Sequence, residues 1–220
     1  MASDTIRVFQ TLTLPALDDD TASRLREAVI AQASEPWRRN VGSEERLRKN
    51  ATSQDILIFD RLTDAITSLP DCSLMLVRWT HDYEASNIIA HHVQSLSQKV
   101  YNAILQDFVV KIALPASDSV GTPVKLSQEF ESPHDWLSPE SESELRIFEI
   151  AANKASGSSH PMDKKRWLRF LTSAHRHNDK MTAEKLNRWL VEAQGWLPEV
   201  AERLSEDYDF GRELLKQYDQ

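Results

Sequence analysis

A chain of 220 residues, 40% hydrophobic and 27% charged, has the makeup of a globular protein large enough to bury a core. Its 5 glycines stand alone at Gly42, Gly121, Gly157, Gly195 and Gly211, which argues against a glycine-rich phosphate cradle, and its single Cys72 excludes an internal disulfide framework and a multi-thiolate metal site. The net charge of −8 falls on residues 1–159, with 15 basic and 23 acidic groups, so broad nucleic-acid binding is not expected there.

The N-terminal part reads as mixed α/β. Ile6, Val8, Leu12 and Leu14 recur at even positions, and this alternation predicts a strand ending at Pro15. Asp18, Asp19 and Asp20 open a helix over about 21–34, because carboxylates at a helix start meet free N–H groups and the positive end of the macrodipole. Ile56, Phe59, Leu62 and Ile66 predict a helix over 54–69, closed by Pro70-Asp71. The run CSLMLVRW at 72–79 reads as a buried strand, with Cys72 as a small hydrophobe inside it. Ile89, Val93, Leu96, Val100, Ala103 and Ile104 predict a helix over 86–107, followed by a strand over 108–114 that stops at Pro115 and an edge strand over 124–130.

Residues 115–144, rich in Ser, Pro and Glu, read as loop, with Trp136 and Leu137 docking on a neighbour. Ser138-Pro139-Glu140 starts a helix carrying Leu145, Phe148, Ile150 and Ala151, and 154–160 is a Ser/Gly linker. One spacing then recurs three times. Trp167/Phe170/Leu171/Ala174, Leu186/Trp189/Leu190/Ala193 and Leu197/Val200/Ala201/Leu204 each follow i, i+3, i+4, i+7, which lays four apolar side chains on one helix stripe. Pro161, Thr182 and Pro198 mark the starts, Gly195 marks a stop, and Phe210, Leu214 and Tyr218 predict a final helix. The expected fold class is α+β and helix-rich. It comprises an acidic mixed α/β region at 1–132, a helix and linker at 133–159, and a C-terminal helical bundle at 160–220.

No catalytic motif stands out. His81 and Asp82 lack the upstream histidine of metal phosphohydrolases. His91 and His92 point about 100° apart on a helix and do not share one metal. A composite site of His81, Asp82, Glu84 and His91 requires the strand end to meet the helix start. The spacing of Arg169 and His175 matches a loose ribonuclease pattern at the rate composition alone produces. No metal or cofactor is expected.

Charge is uneven in the bundle: 8 basic and 3 acidic residues from His160 to Arg188, against 3 basic and 8 acidic from Trp189 to Gln220. Lys165, Arg169 and Arg176 can share one outer helix face, which reads as a solvated face pairing with the acidic half inside the fold, or as a row suited to an acidic protein surface or to phosphates. The helix pair around Gly195 is no DNA reader, because Glu199, Glu202, Glu206 and Asp207 would repel the major groove. The tryptophans Trp136, Trp167, Trp189 and Trp196 offer anchor surface for a partner. The expected function is a non-catalytic interaction or regulatory module of the cytosol, a homo-oligomer or a subunit of a bacterial complex. The alternative is an RNA-binding or RNA-processing factor using the basic helix 163–177 or a His81/Asp82/His91 site. No apolar run approaches the roughly 20 residues that cross a bilayer, and MASDTIRVFQ lacks a signal-peptide pattern, so no membrane partner is expected.

Overall fold

Cys72–Trp79 forms a strand over its whole predicted length. The computed structural model describes residues 4–49, 55–62 and 67–220, and about 52% helix with 18% strand makes it an α+β fold. Its contacts divide into two units, one of residues 8–129 and one of residues 1–7 with 130–220. Residues 133–159 thus fall in the same unit as the C-terminal helices.

The 8–129 unit is built on a six-stranded antiparallel sheet. In chain order its strands are β2 (Leu12–Leu14), β3 (Trp37–Arg39), β4 (Ile56–Arg61), β5 (Cys72–Trp79), β6 (Asp82–Ala90) and β7 (Lys125–Leu126), where β1 is reserved for Ile6–Arg7 of the other unit. The spatial order is β3-β4-β5-β6-β2-β7. Helix α1 (Asp19–Ala31) begins as expected, with the Asp18 side chain capping Thr21 N at 2.8 Å. Helix α2 (Val41–Arg48) follows β3, and α3 (Gln98–Phe108) leads through a π-helical turn at Val109–Ala113 into α4 (Leu114–Val120). Leu25 of α1 and Ile104, Phe108 and Ile112 of the α3–α4 run pack with Leu14, Trp37, Phe59, Leu74 and Tyr83 of the sheet in one core.

Three expected elements change type. The helix over 54–69 is strand β4 in its first part, while residues 54 and 63–66 lie outside the described residues. Ile56 to Phe59 are all buried, so this strand lacks the alternation that marks a half-exposed one, and Ile56, Phe59 and Leu62 mimic a helical spacing. The helix over 86–107 splits into β6 and α3. Residues 87–90 pair with β5, Ile88 opposite Leu74, past an irregularity at Ser86, and the helix begins only where Ser97 caps Val100 N. The strand over 108–114 is helical instead. Its β-branched residues suggested a strand, yet Phe108, Val109, Ile112, Ala113 and Ala116 are buried at helical spacing. The π turn ends at Ala113, two residues before Pro115, which has no N–H to give, and the helix continues past the proline.

The second unit pairs β1 (Ile6–Arg7) antiparallel with β8 (Phe130–Glu131), so a strand from the start of the chain belongs with the C-terminal helices. Five helices follow: α5 (Pro133–Trp136), α6 (Pro139–Ala151), α7 (Pro161–Arg176), α8 (Ala183–Arg188) and α9 (Pro198–Tyr218), with a π turn at Trp189–Ala193 after α8. Helix starts fall where the sequence placed them. Ser138 caps α6, Pro161 stands at the start of α7, Thr182 caps α8 and Pro198 opens α9 after Gly195, whose φ is +70°. The expected final helix is the continuation of α9, an unbroken run of 21 residues. Of the three apolar stripes, Leu197 alone is exposed, at 44%. Phe148, Trp167, Phe170, Trp196 and Tyr208 form a chain of ring contacts with centroids 4.9–5.7 Å apart.

No helix among the described residues is long and apolar enough to cross a membrane.

Candidate interaction groove

Helices α6 and α7 approach closely because small residues meet at their contact. Ser141 and Ser173 are buried and bond through their hydroxyls at 2.9 Å. Beside this contact lies a cleft of about 370 Å³, which Ser173 itself lines. Lys165, Leu168, Arg169, Thr172, Ser173 and Arg176 line it from α7, and Glu140 and Glu144 from α6. The row Lys165, Arg169 and Arg176 is therefore gathered along one groove.

The electrostatics of this groove are unusual for its residue types. Arg166 pairs with Asp163 at 2.7 Å and Lys185 with Glu131 at 2.8 Å. Lys165, Arg169 and Arg176 make no ion pair or side-chain hydrogen bond among the described residues. Glu140 faces His177, 3.5 Å away, and one carboxylate oxygen of Glu144 is buried with no hydrogen-bond partner. Leu168, 51% exposed, adds an apolar surface among the cations. The groove thus offers three unneutralised cations, one idle acceptor and an exposed leucine.

Trp136 does not join it. Its ring is 4% exposed, its indole N–H donates to Glu131, and the Lys185 ammonium lies 5.1 Å from the ring centroid. Trp167, Trp189 and Trp196 are likewise at most 3% exposed. Their area completes the core of the unit, so these four rings are not surface anchors.

The histidine site is not assembled either. His81 precedes β6 and His91 follows it, and the nine residues of that strand hold them about 30 Å apart. His81 Nδ1 lies 3.1 Å from Asp19 Oδ1, and Asp82 accepts the Ala16 amide at 3.0 Å. His91 Nε2 lies 2.8 Å from Ser73 Oγ, which in turn donates to Asp60 at 2.6 Å. Ser73 thus stands between Asp60 and His91, an order in which a carboxylate and not the imidazole accepts the hydroxyl proton. The described residues hold no cluster of three or more His, Cys, Asp or Glu placed to bind a metal. Burial pushes the Cys72 thiol up to about 12, which leaves no thiolate nucleophile at neutral pH.

Sequence reasoning missed Glu140, Glu144 and Leu168. The two glutamates are four apart on α6, and Leu168 lies off the buried stripe of α7, which was the available signal. The chain matches no family model, no curated protein and no solved structure.

Proposed function

We propose that this protein is a non-catalytic interaction module of the cytosol whose α6–α7 groove receives an acidic, partly apolar segment of a protein partner. The carrying observation is the set of three unpaired cations around an exposed leucine. Cations without an ion pair attract incoming carboxylates even with Glu140 and Glu144 in the same lining, and an apolar group among charged ones is common at docking patches.

The alternative is binding of RNA through the same helix, 163–177. Glu140 and Glu144 weigh against it, since they cut the lining charge to +1 and would face the phosphates. A protein segment, with separated carboxylates and apolar side chains, fits this mixed lining better.

Fluorescence anisotropy with a labelled synthetic helical peptide of glutamate and leucine tests the reading. Saturable binding at low salt is expected, with loss in Arg169→Glu. Absence of binding by the wild-type chain overturns it. Saturable binding of a labelled single-stranded RNA in place of the peptide, weakening steeply with salt, transfers the groove to the alternative.

A further inference from the structure

The exposed side of α9 carries the chemistry the groove lacks. Glu199, Glu202, Glu206, Asp207 and Asp209 have no ion-pair partner among the described residues. Beside them Phe210, Leu214 and Tyr218 form a row at i, i+4 and i+8, exposed at 71%, 56% and 86%. A helix whose outward face holds three large apolar side chains and a flank of carboxylates is an acidic, partly apolar segment of the kind proposed above.

Shape and charge match. From Lys165 to Arg176, α7 rises about 16 Å, and α9 rises the same from Glu206 to Gln217. The stretch from His160 to Arg188 has 8 basic and 3 acidic residues, and that from Trp189 to Gln220 has the reverse, 3 and 8. His175 meets Asp219 at 2.6 Å and Arg188 meets Glu192 at 2.8 Å, but Lys165, Arg169 and Arg176 make no ion pair with Glu199, Glu202, Glu206, Asp207 or Asp209 among the described residues. Meeting the groove of another copy satisfies both.

We infer that the groove's partner is a second copy of this chain, with the acidic outer face of its α9 seated between α6 and α7 and Leu168 against the Phe210/Leu214 row. This rests on the docking role proposed for the groove. Each copy carries both unlike surfaces, so the contact repeats from copy to copy, as a closed ring or an open filament according to its rotation.

Sedimentation velocity over a concentration series reads the result. The wild-type chain should exceed the mass of one copy and fall toward it in high salt. A groove-reversed chain (Lys165→Glu, Arg169→Glu, Arg176→Glu) and a helix-reversed chain (Glu206→Lys, Asp209→Lys, Glu213→Lys) should each be monomeric. Mixed together they should form a one-to-one complex, and a single chain bearing both sets should associate again. Circular dichroism verifies that each variant keeps its helices, and the salt dependence of the wild-type mass tests the inference without any variant. A wild-type monomer throughout the series, an associated state that salt leaves unchanged, or well-folded variants that fail to pair overturns it. If the wild-type chain is monomeric yet binds the Glu/Leu peptide, the groove is a docking site for another partner. If it is monomeric and the peptide does not bind, both readings fall.

Discussion

Glu44 has no exposed surface, and the guanidinium of Arg39 holds it side-on, Nε to Oε1 at 2.9 Å and Nη2 to Oε2 at 2.8 Å. The Ile58 amide donates to the same Oε1 at 3.2 Å, and Arg48 approaches Oε2 at 3.4 Å. One carboxylate on α2 thereby ties the helix to β3 and β4. A buried charge is tolerable only when so surrounded, and truncating it leaves Arg39 partly buried without a partner. Glu44→Ala should lower the stability by about 3 kcal/mol in urea unfolding. Glu44→Gln, which keeps the shape but loses the charge, should cost less than Glu44→Ala.

Cys72 sits within β5, opposite Arg61 on β4 and Ala90 on β6, with no exposed surface. Burial in apolar surroundings disfavours its thiolate, hence the rise to about 12. The native chain should resist a disulfide-exchange reagent at mildly alkaline pH, and the same thiol should react fully once the chain is unfolded. Rapid labelling of the folded protein would contradict the burial.

Hydrogen bonds from Thr21, through its hydroxyl first and then its amide, hold the Asp18 carboxyl below its ordinary range. A carboxyl lowered in the folded state contributes stability above its unfolded pKa and loses it as pH falls through the folded one. Asp18→Ala should therefore lower the melting temperature at neutral pH. The gap from wild type should shrink in acid, below the carboxylate range, where Asp18 itself is protonated. A gap independent of pH would assign the cap's value to packing instead of charge.

Gly195 closes the turn between the π segment and α9 at φ +70°, a conformation in which a Cβ crowds the following carbonyl. Open space surrounds the position a Cβ would occupy, so the strain is in the backbone alone. Gly195→Ala should cost about 1 kcal/mol in chemical denaturation and leave peptide binding by the groove unchanged.

Leu168 is half exposed between Lys165 and Arg169, and its removal exposes no core. Leu168→Ser should leave the melting temperature near that of wild type and weaken the Glu/Leu peptide about tenfold, the loss expected for one apolar contact of about 1.4 kcal/mol. Unchanged affinity would mean that charge alone governs the groove.

Helix α7, the caps at Ser138 and Thr182, the stop at Gly195 and the strand at Cys72–Trp79 were all legible in the sequence. So was the common face of Lys165, Arg169 and Arg176. These features depend on local chemistry, where 3.6-residue periodicity, capping oxygens and missing N–H groups act within a few residues. Other decisions needed partners distant in sequence. Ile56–Arg61 becomes a strand because β3 and β5 pair with it on either side, and residues 87–90 follow because β5 offers them an edge. Ile6–Arg7 joins the C-terminal unit through Phe130–Glu131, a pairing that spans most of the chain. Trp136 ends in the interior since Glu131 and Lys185 enclose its polar edge and ring face. Glu140 and Glu144 reach the basic row only when Ser141 and Ser173 let α6 and α7 touch. Short-range preferences are written into a stretch of sequence, whereas burial and strand pairing are settled between stretches, by whichever surfaces exclude water together.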